Sequence, residues 1–402
     1  MVNMNEAPYD SFELSFESLN EFEEFFSSRA KNEDWVKVPI GGILFNVCSG
    51  GPLFDAALRA SLKLESSVSD EAYNSTCLDG SAPGTVKGSE MSVRVFDNSK
   101  ATDYLLSDVA LASAARLLIG QTTAFSKLPV PKKAEALKTF QSVYPNPREG
   151  KQALMQFAFG KARTFHIADR GDKSYSVMRQ HELLSALVEF LDKEYPGNVF
   201  KYGYYNHSYT SAMWLLPEQR EELLDAYSKA CKAHGIVPYK FTPAIIWETS
   251  DAGDKAVTIR ACLISGNYRV DIGSPVKVEH VAGNTVSTFR NALDRIFVQF
   301  KDMVGSIPRI MDIEIEHPVG CLKAIGEQVG ISPRFMDSAI EFFNMVYDDA
   351  EKVSAYDIFF TIQETLLDMQ KENVAQRTIE KVRENATRCL SKSFSWKEVD
   401  HL

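Results

Sequence analysis

The sequence predicts an α+β protein, with central antiparallel β-hairpins, flanking helices and an all-helical C-terminal part. Three observations lead there. Residues 198–264 carry β-rich runs separated by turn-forming clusters. From Thr285 onward apolar residues recur at helical spacing and the β-branched runs fade. The 402 residues are 45% hydrophobic and 24% charged, ordinary globular usage that lets a chain of this length bury a large core. Strands grouped first and helices grouped last form the α+β pattern.

Along the chain, Ser11 to Ala30 sets Phe12, Phe16, Leu19, Phe22, Phe25 and Phe26 among glutamates, mostly at helical spacing. This is an acidic amphipathic helix whose apolar face needs a surface, its own domain first and another protein second. Trp35 to Val47 reads as a strand or strand pair, Leu53 to Leu64 as a short helix, and the Ser-, Asp- and Gly-rich Glu65 to Glu90 as a mobile loop. Met91 to Phe96 is strand-like, and Asp103 to Ile119 is apolar nearly all round, the mark of a buried helix. Helices are expected at Lys132 to Phe140 and Arg148 to Phe159, then a strand at Ala162 to Ala168.

The centre is more regular. His181 to Glu194 is a helix stopped by Tyr195-Pro196-Gly197. Asn198 to Tyr205 and Tyr209 to Leu216 pair as strands, and Pro217 starts a helix that runs to His234. Ala244 to Thr249 and Ala256 to Ile264 flank the turn cluster Ser250 to Asp254, and a further strand pair is expected around Gly273-Ser274-Pro275. Helices follow at Thr285 to Met303, Val319 to Gly326, Pro333 to Val346, Ser354 to Asp368 and Asn373 to Leu390. Three regions result: 1–90 with the acidic helix and loop, 91–284 as the α+β centre, and 285–402 as the helical end.

Composition narrows the classes. The longest apolar runs, such as Val109 to Gly120, fall short of the roughly 20 residues of a membrane span. The first 25 residues hold seven acids and no base, the wrong charge for a targeting leader. The six cysteines are scattered without a C-x-x-C pair, so they read as reduced, buried residues of a cytoplasmic protein and not as a zinc site. A net charge of -10 gives no whole-surface affinity for nucleic acid, yet Gly84 to Arg170 holds 13 Lys and Arg against 7 Asp and Glu. P-loop, G-x-G-x-x-G, G-x-S-x-G and H-E-x-x-H strings are absent, and no cofactor is implied.

Several short strings resemble a family of phage and plasmid proteins of unknown function. They are Leu106-Ser107-Asp108-Val109-Ala110, Tyr175-Ser176-Val177-Met178 with Glu182-Leu183-Leu184, Thr249-Ser250-Asp251 to Gly253, Gly273-Ser274-Pro275-Val276-Lys277 with Glu279-His280, and Glu384-Asn385-Ala386 with Trp396-Lys397-Glu398. The resemblance runs from about Met91 to the C-terminus. It implies a role in a phage-infected or plasmid-bearing bacterium, and DNA metabolism by association.

Two constellations carry candidate chemistry. Phe200, Tyr202 and Tyr204 alternate on one strand face, and the basic stretch supplies Lys132, Lys133, Lys161 and Arg163. Stacking aromatics with phosphate-binding cations hold single-stranded nucleic acid, although alternating aromatics more often form a core face. Asp251, Lys277, Glu279 and His280 form the second group, in which two acids would hold a metal and Lys would orient a water for phosphodiester attack. Turn chemistry for Asp251 and a strand ion pair for Lys277 and Glu279 are the simpler account. His166 beside Arg163 is a further candidate base or phosphate contact, with strand alternation separating Arg163 and Phe165 from Thr164 and His166. The sequence thus favours a phage or mobile-element accessory protein that binds single-stranded DNA. A metal-dependent phosphodiester or nucleotide enzyme, and a binder of a host protein through the acidic helix, are the alternatives.

Overall fold

The computed structural model of the chain describes residues 13–47, 91–97, 100–120, 122–143, 152–158, 161–168, 171–206, 208–253, 255–266, 268–347 and 352–400. The helix expected at Leu53 to Leu64, and the loop from Glu65 to Glu90, lie outside the described residues. The strands are β1 (Glu13–Phe16), β2 (Glu33–Pro39), β3 (Ile43–Val47), β4 (Met91–Asp97), β5 (Lys100–Leu106), β6 (Gln152–Ala158), β7 (Lys161–Ile167), β8 (Val199–Asn206), β9 (Thr210–Leu215), β10 (Thr242–Thr249), β11 (Val257–Ser265) and β12 (Tyr268–Val278). They form two six-stranded sheets. Between them run α1 (Leu19–Ala30), α2 (Asp108–Leu118), α3 (Thr123–Ser126), α4 (Val130–Gln141), α5 (Gln180–Glu194) and α6 (Arg220–Ala233).

The first sheet has the order β2-β6-β7-β5-β4-β3, so its two edge strands are β2 and β3. Those edges are joined by the single turn Ile40–Gly42. Residues 39 to 43 reach at most about 14 Å, whereas the edges of a flat six-stranded sheet lie about 24 Å apart. The sheet must therefore curl until its edges meet. Its inner face, with Val38, Ile43, Phe45, Val93, Met155 and Phe165, closes over Ala110, Leu111 and Ala114 of α2 and Leu137 of α4. β5 pairs in parallel with β7 only at Leu105–Leu106, after which the chain enters α2. Serines of α2's turn and helix then take over the open edge of β7: Ser107 Oγ donates to the Arg163 carbonyl at 3.1 Å, and the Phe165 N–H donates to Ser113 Oγ at 3.0 Å.

The second sheet, β1-β8-β9-β10-β11-β12, is antiparallel throughout. One face carries the main core, where Trp214, Trp247, Leu187 and Tyr227 meet Phe22, Phe25 and Phe26 of α1. The apolar stripe of the acidic helix is thus spent on its own chain. The backbone of β8 comes so close at Gly203 that a Cβ there would stand 2.6 Å from the Phe22 ring. The C-terminal part is α7 (Val286–Val304), α8 (Ser306–Met311), α9 (Pro318–Val329), α10 (Pro333–Tyr347), α11 (Ala355–Lys371), α12 (Gln376–Ala386) and α13 (Trp396–Asp400). Among the described residues of this part the sole extended pairing is the isolated bridge Glu314–Ser354. The α+β class with a helical C-terminal part is the observed architecture.

Several elements differ from the sequence expectation. Residues 152–158, expected as helix, form β6, which is paired on both sides by β2 and β7. Its Ala, Leu, Met and Gln favour helix locally, and the two-sided ladder overrides that propensity. Glu13–Phe16 is a strand on β8 before α1 begins, and residues 103–106 end β5 before α2. The expected pair around Gly273 is one strand, β12, with Gly273 to Pro275 bulged opposite Arg260. The sheets also share out the first fifty residues, 33–47 going to the curled sheet and 13–16 to the antiparallel one.

Candidate functional site

Asp251 lies in the turn after β10, where the antiparallel sheet meets the outside of the curled one. Its carboxylate is buried and pairs with the guanidinium groups of Arg163, at 2.6 Å, and Arg29 from the last turn of α1. Gln156 Nε2 donates to it at 3.4 Å. Arg163 reaches this place through a bulge: the β6–β7 register shifts between Gln156 and Phe157, so Gln156 faces Thr164 and Phe157 faces Ala162, with Arg163 left over. Strict alternation would have put Arg163 beside the core residue Phe165. The bulge instead turns it to the side of Gln156 and Thr164.

Beside this cluster a cleft of about 260 Å³ opens between the sheets. Ser113, Arg116 and Leu117 of α2 and Phe165 and His166 of β7 line one wall; Lys173, Tyr175, Ala252, Gly253 and His280 line the other. Tyr175 belongs to a parallel stack, its ring centroid 3.7 Å from His166 and 5.2 Å from His280, with Trp35 5.5 Å away. Gly253 stands at φ +80°, and a Cβ on it would come within 2.5 Å of His166 Cε1. Only glycine lets the turn press against the stack.

The hydrogen bonds fix both imidazole tautomers. The Ala252 carbonyl has no proton to give, so Thr164 Oγ1 donates to it at 3.1 Å. With its one proton used, the hydroxyl accepts from His166 Nε2 at 3.0 Å, which leaves Nδ1 as the lone-pair nitrogen of His166. By the same logic His280 Nδ1 donates to the Ser176 carbonyl at 3.3 Å. Its Nε2 is buried and meets no hydrogen-bond partner among the described residues. Burial, with His280 and Arg116 nearby, pushes His166 down to about 3, and burial also lowers His280. At neutral pH both rings are uncharged acceptors. Arg116 and Lys173 are exposed cations, and among the described lining residues none is acidic.

The other sequence candidates are dispersed. His280 lines the cleft and Asp251 lies within electrostatic reach of it. Lys277, however, donates to Glu384 of α12 at 2.7 Å, and Glu279 is exposed, so the four residues do not converge. Among the described residues no group of three His, Cys, Asp or Glu stands close enough to hold a metal ion. Lys132 pairs with Glu135 on the exposed face of α4, with Lys133 beside it; the Lys161 side chain lies outside the described residues. A bulge between Phe200 and Tyr202 sends Phe200 to the main core and leaves Tyr202 and Tyr204 on the opposite face of the sheet. There Tyr202 packs beside Met213, Ile246 and Cys262, and Tyr204 Oη donates to Glu13 at 2.8 Å. That same face holds an ion network in which Glu248 takes Lys255 and Arg260, and Arg269 joins Asp271 to Glu380 of α12. Burial alone would raise Glu248, but Lys255 and Arg260 hold it at about 2.

Arg116, Lys173, Tyr175 and Gly253 were not legible as site residues. No spacing rule joins Tyr175, Gly253 and His280, which stand on separate segments of the chain. Comparison of the chain with family models, curated proteins and solved structures found no match. No helix among the described residues is long and apolar enough to cross a membrane.

Proposed function

We propose that the cleft binds a phosphate monoester, either a small free ester or the phosphorylated end of a single nucleic-acid strand, in the cytoplasm of a bacterial host. The observation that carries this reading is the charge of the lining: two cations and two imidazoles, with no carboxylate among the described residues. Cations on a partly enclosed surface favour a phosphate, with its three acceptor oxygens. The volume is below the roughly 300–1,000 Å³ of drug-sized sites, so it takes a phosphate with a sugar-sized group and leaves a base outside. Tyr175 is already engaged in stacking, its ring lying parallel to both imidazoles. A strand-end reading agrees with the role in DNA metabolism that the sequence led us to expect.

Titration at low salt with ribose 5-phosphate, and with single-stranded oligonucleotides bearing or lacking a 5′-phosphate, tests this. Binding that requires the phosphate and weakens about tenfold or more in Arg116→Ala with Lys173→Ala is expected. A strand as the ligand would show a steeper salt dependence than the sugar phosphate, reduced by Lys132→Ala with Lys133→Ala. Failure of the folded protein to bind any of these ligands would end the proposal.

A further inference from the structure

The curled sheet is built between α1 and Tyr175, so β2 to β7 form a unit inserted into the one that holds β1 and β8 to β12. Each unit has its own core. Residues between Val38 and Phe165 supply one, Phe16 to Phe26 and the chain from Met178 onward supply the other, and among the described residues the two cores share none. The pairings across the boundary include Arg163 and Gln156 with Asp251, Thr164 Oγ1 with the Ala252 carbonyl, Arg29 with Glu33, and the stacking of Tyr175 on His166 and Trp35. An interface without a shared core leaves its two sides able to move relative to each other.

The walls of the cleft divide along the same boundary. Arg116, with Ser113 and Leu117 of α2 and Phe165 and His166 of β7, belongs to the inserted unit. Lys173 leads into a segment tied to the other unit: Tyr175 bridges to Val281, the Ser176 N–H donates to the His280 carbonyl at 3.1 Å, and Ser176 Oγ donates to the Asn284 carbonyl at 2.6 Å. The two cations of the cleft therefore come from different units.

We propose that a phosphate ester in the cleft is a second fastener between the two sheets, joining Arg116 of the inserted unit to Lys173 of the other. This inference rests on the phosphate reading and adds what the bound anion does to the molecule. Separating the units breaks the contact of the anion with one wall, so binding and the junction are linked, and each strengthens the other by the same factor. Without ligand the sheets rely on Asp251 and its neighbours; with ligand they move as one. A ligand site at the boundary of two units, with walls supplied by both, is also the usual place for a cleft that closes on what it binds.

Because Asp251 already couples the sheets in the wild-type chain, the linkage is read in Asp251→Asn, which keeps the shape of the side chain and removes its charge. Thr164→Val, which takes away only the hydroxyl that meets Ala252, serves where that variant fails to fold. Hydrogen exchange of the full chain is followed with and without ribose 5-phosphate at about a hundred times its dissociation constant. Amides of residues 113–117 and 162–167 on one wall, and of 174–176 and 250–253 on the other, are expected to slow together, by up to about a hundredfold. Adding Arg116→Ala or Lys173→Ala, with the ligand raised to match the weaker affinity, is expected to confine the protection to the wall that keeps its cation. Protection of a single wall while both cations are present, or of both walls when either is missing, would overturn the bridge and leave the phosphate reading standing. Failure of the wild-type chain to bind the ester would remove both.

Discussion

Protonating His166 inside the folded protein is harder than protonating it in the unfolded chain, because burial, His280 and Arg116 all oppose a charge there. Its folded value of about 3 lies below the usual 6.5, so the stability it contributes is complete above about pH 6.5 and is lost as pH falls toward 3. The unfolded chain takes up the proton first. His280 acts in the same direction. His166 steepens the loss by about 1.4 kcal/mol per pH unit between its two values. Glu248, held at about 2, adds to it only below the ordinary glutamate value of 4.5, and Glu23 and Glu364, both raised by burial, work in the opposite sense. Urea denaturation between pH 7 and 5 should therefore show falling stability that flattens in His166→Phe, a substitution that cancels the carboxylate contributions. Parallel profiles for the two proteins would show that His166 titrates normally.

At the scale of elements, one helix completes one strand. β7 loses its neighbour when β5 ends, and Ser113 of α2 accepts the Phe165 N–H that a strand would otherwise have taken. Ser113→Ala should leave that amide buried without an acceptor and destabilise the protein by about 1–3 kcal/mol. Hydrogen exchange at Phe165 should accelerate more than at Trp214 in the other sheet. An unchanged exchange rate at Phe165 would mean that the serine is incidental. The same scale shows what periodicity conveys. Phe22, Phe25 and Phe26 announced the buried face of α1, and the five long C-terminal helices appeared close to their expected places. Alternation failed at Arg163 and at Phe200, where bulges reverse the face on which the next residues point. Residues 152–158 failed for a different reason, since a strand buried in mid-sheet carries the same apolar run as a buried helix.

At the scale of the molecule, the two sheets are fastened by Asp251, whose carboxylate takes one guanidinium from α1 and another from the bulge of β7. Removing the acid takes their shared counter-charge from two buried cations, of which Arg29 keeps Glu33 at 3.4 Å. Asp251→Ala should cost about 3–5 kcal/mol, well beyond a surface ion pair. It should also weaken the cooperation between the sheets, so that amides of β6 and β7 exchange before those of β10 and β11, whereas the wild-type sheets open together. A loss under about 1 kcal/mol would show that the apolar contacts alone join them. The cleft depends on this junction, because Gly253 and Tyr175 approach His166 only while the turn carrying Asp251 is seated.

By itself the sequence determined the class of the fold, the hairpins at residues 198–264, the helical C-terminal part and the inward face of the acidic helix. Each of these rests on repeats between residues a few positions apart, and such repeats are written directly in the chain. Only the tertiary structure decided that the curled sheet closes through Ile40–Gly42, that Arg163 turns inward to Asp251, and that His166, Tyr175 and His280 form one stack. Those outcomes depend on strand order, bulges and a turn inserted from a distant hairpin. Nothing local encodes them, since each is the joint result of pairings between segments that meet only once both sheets have formed.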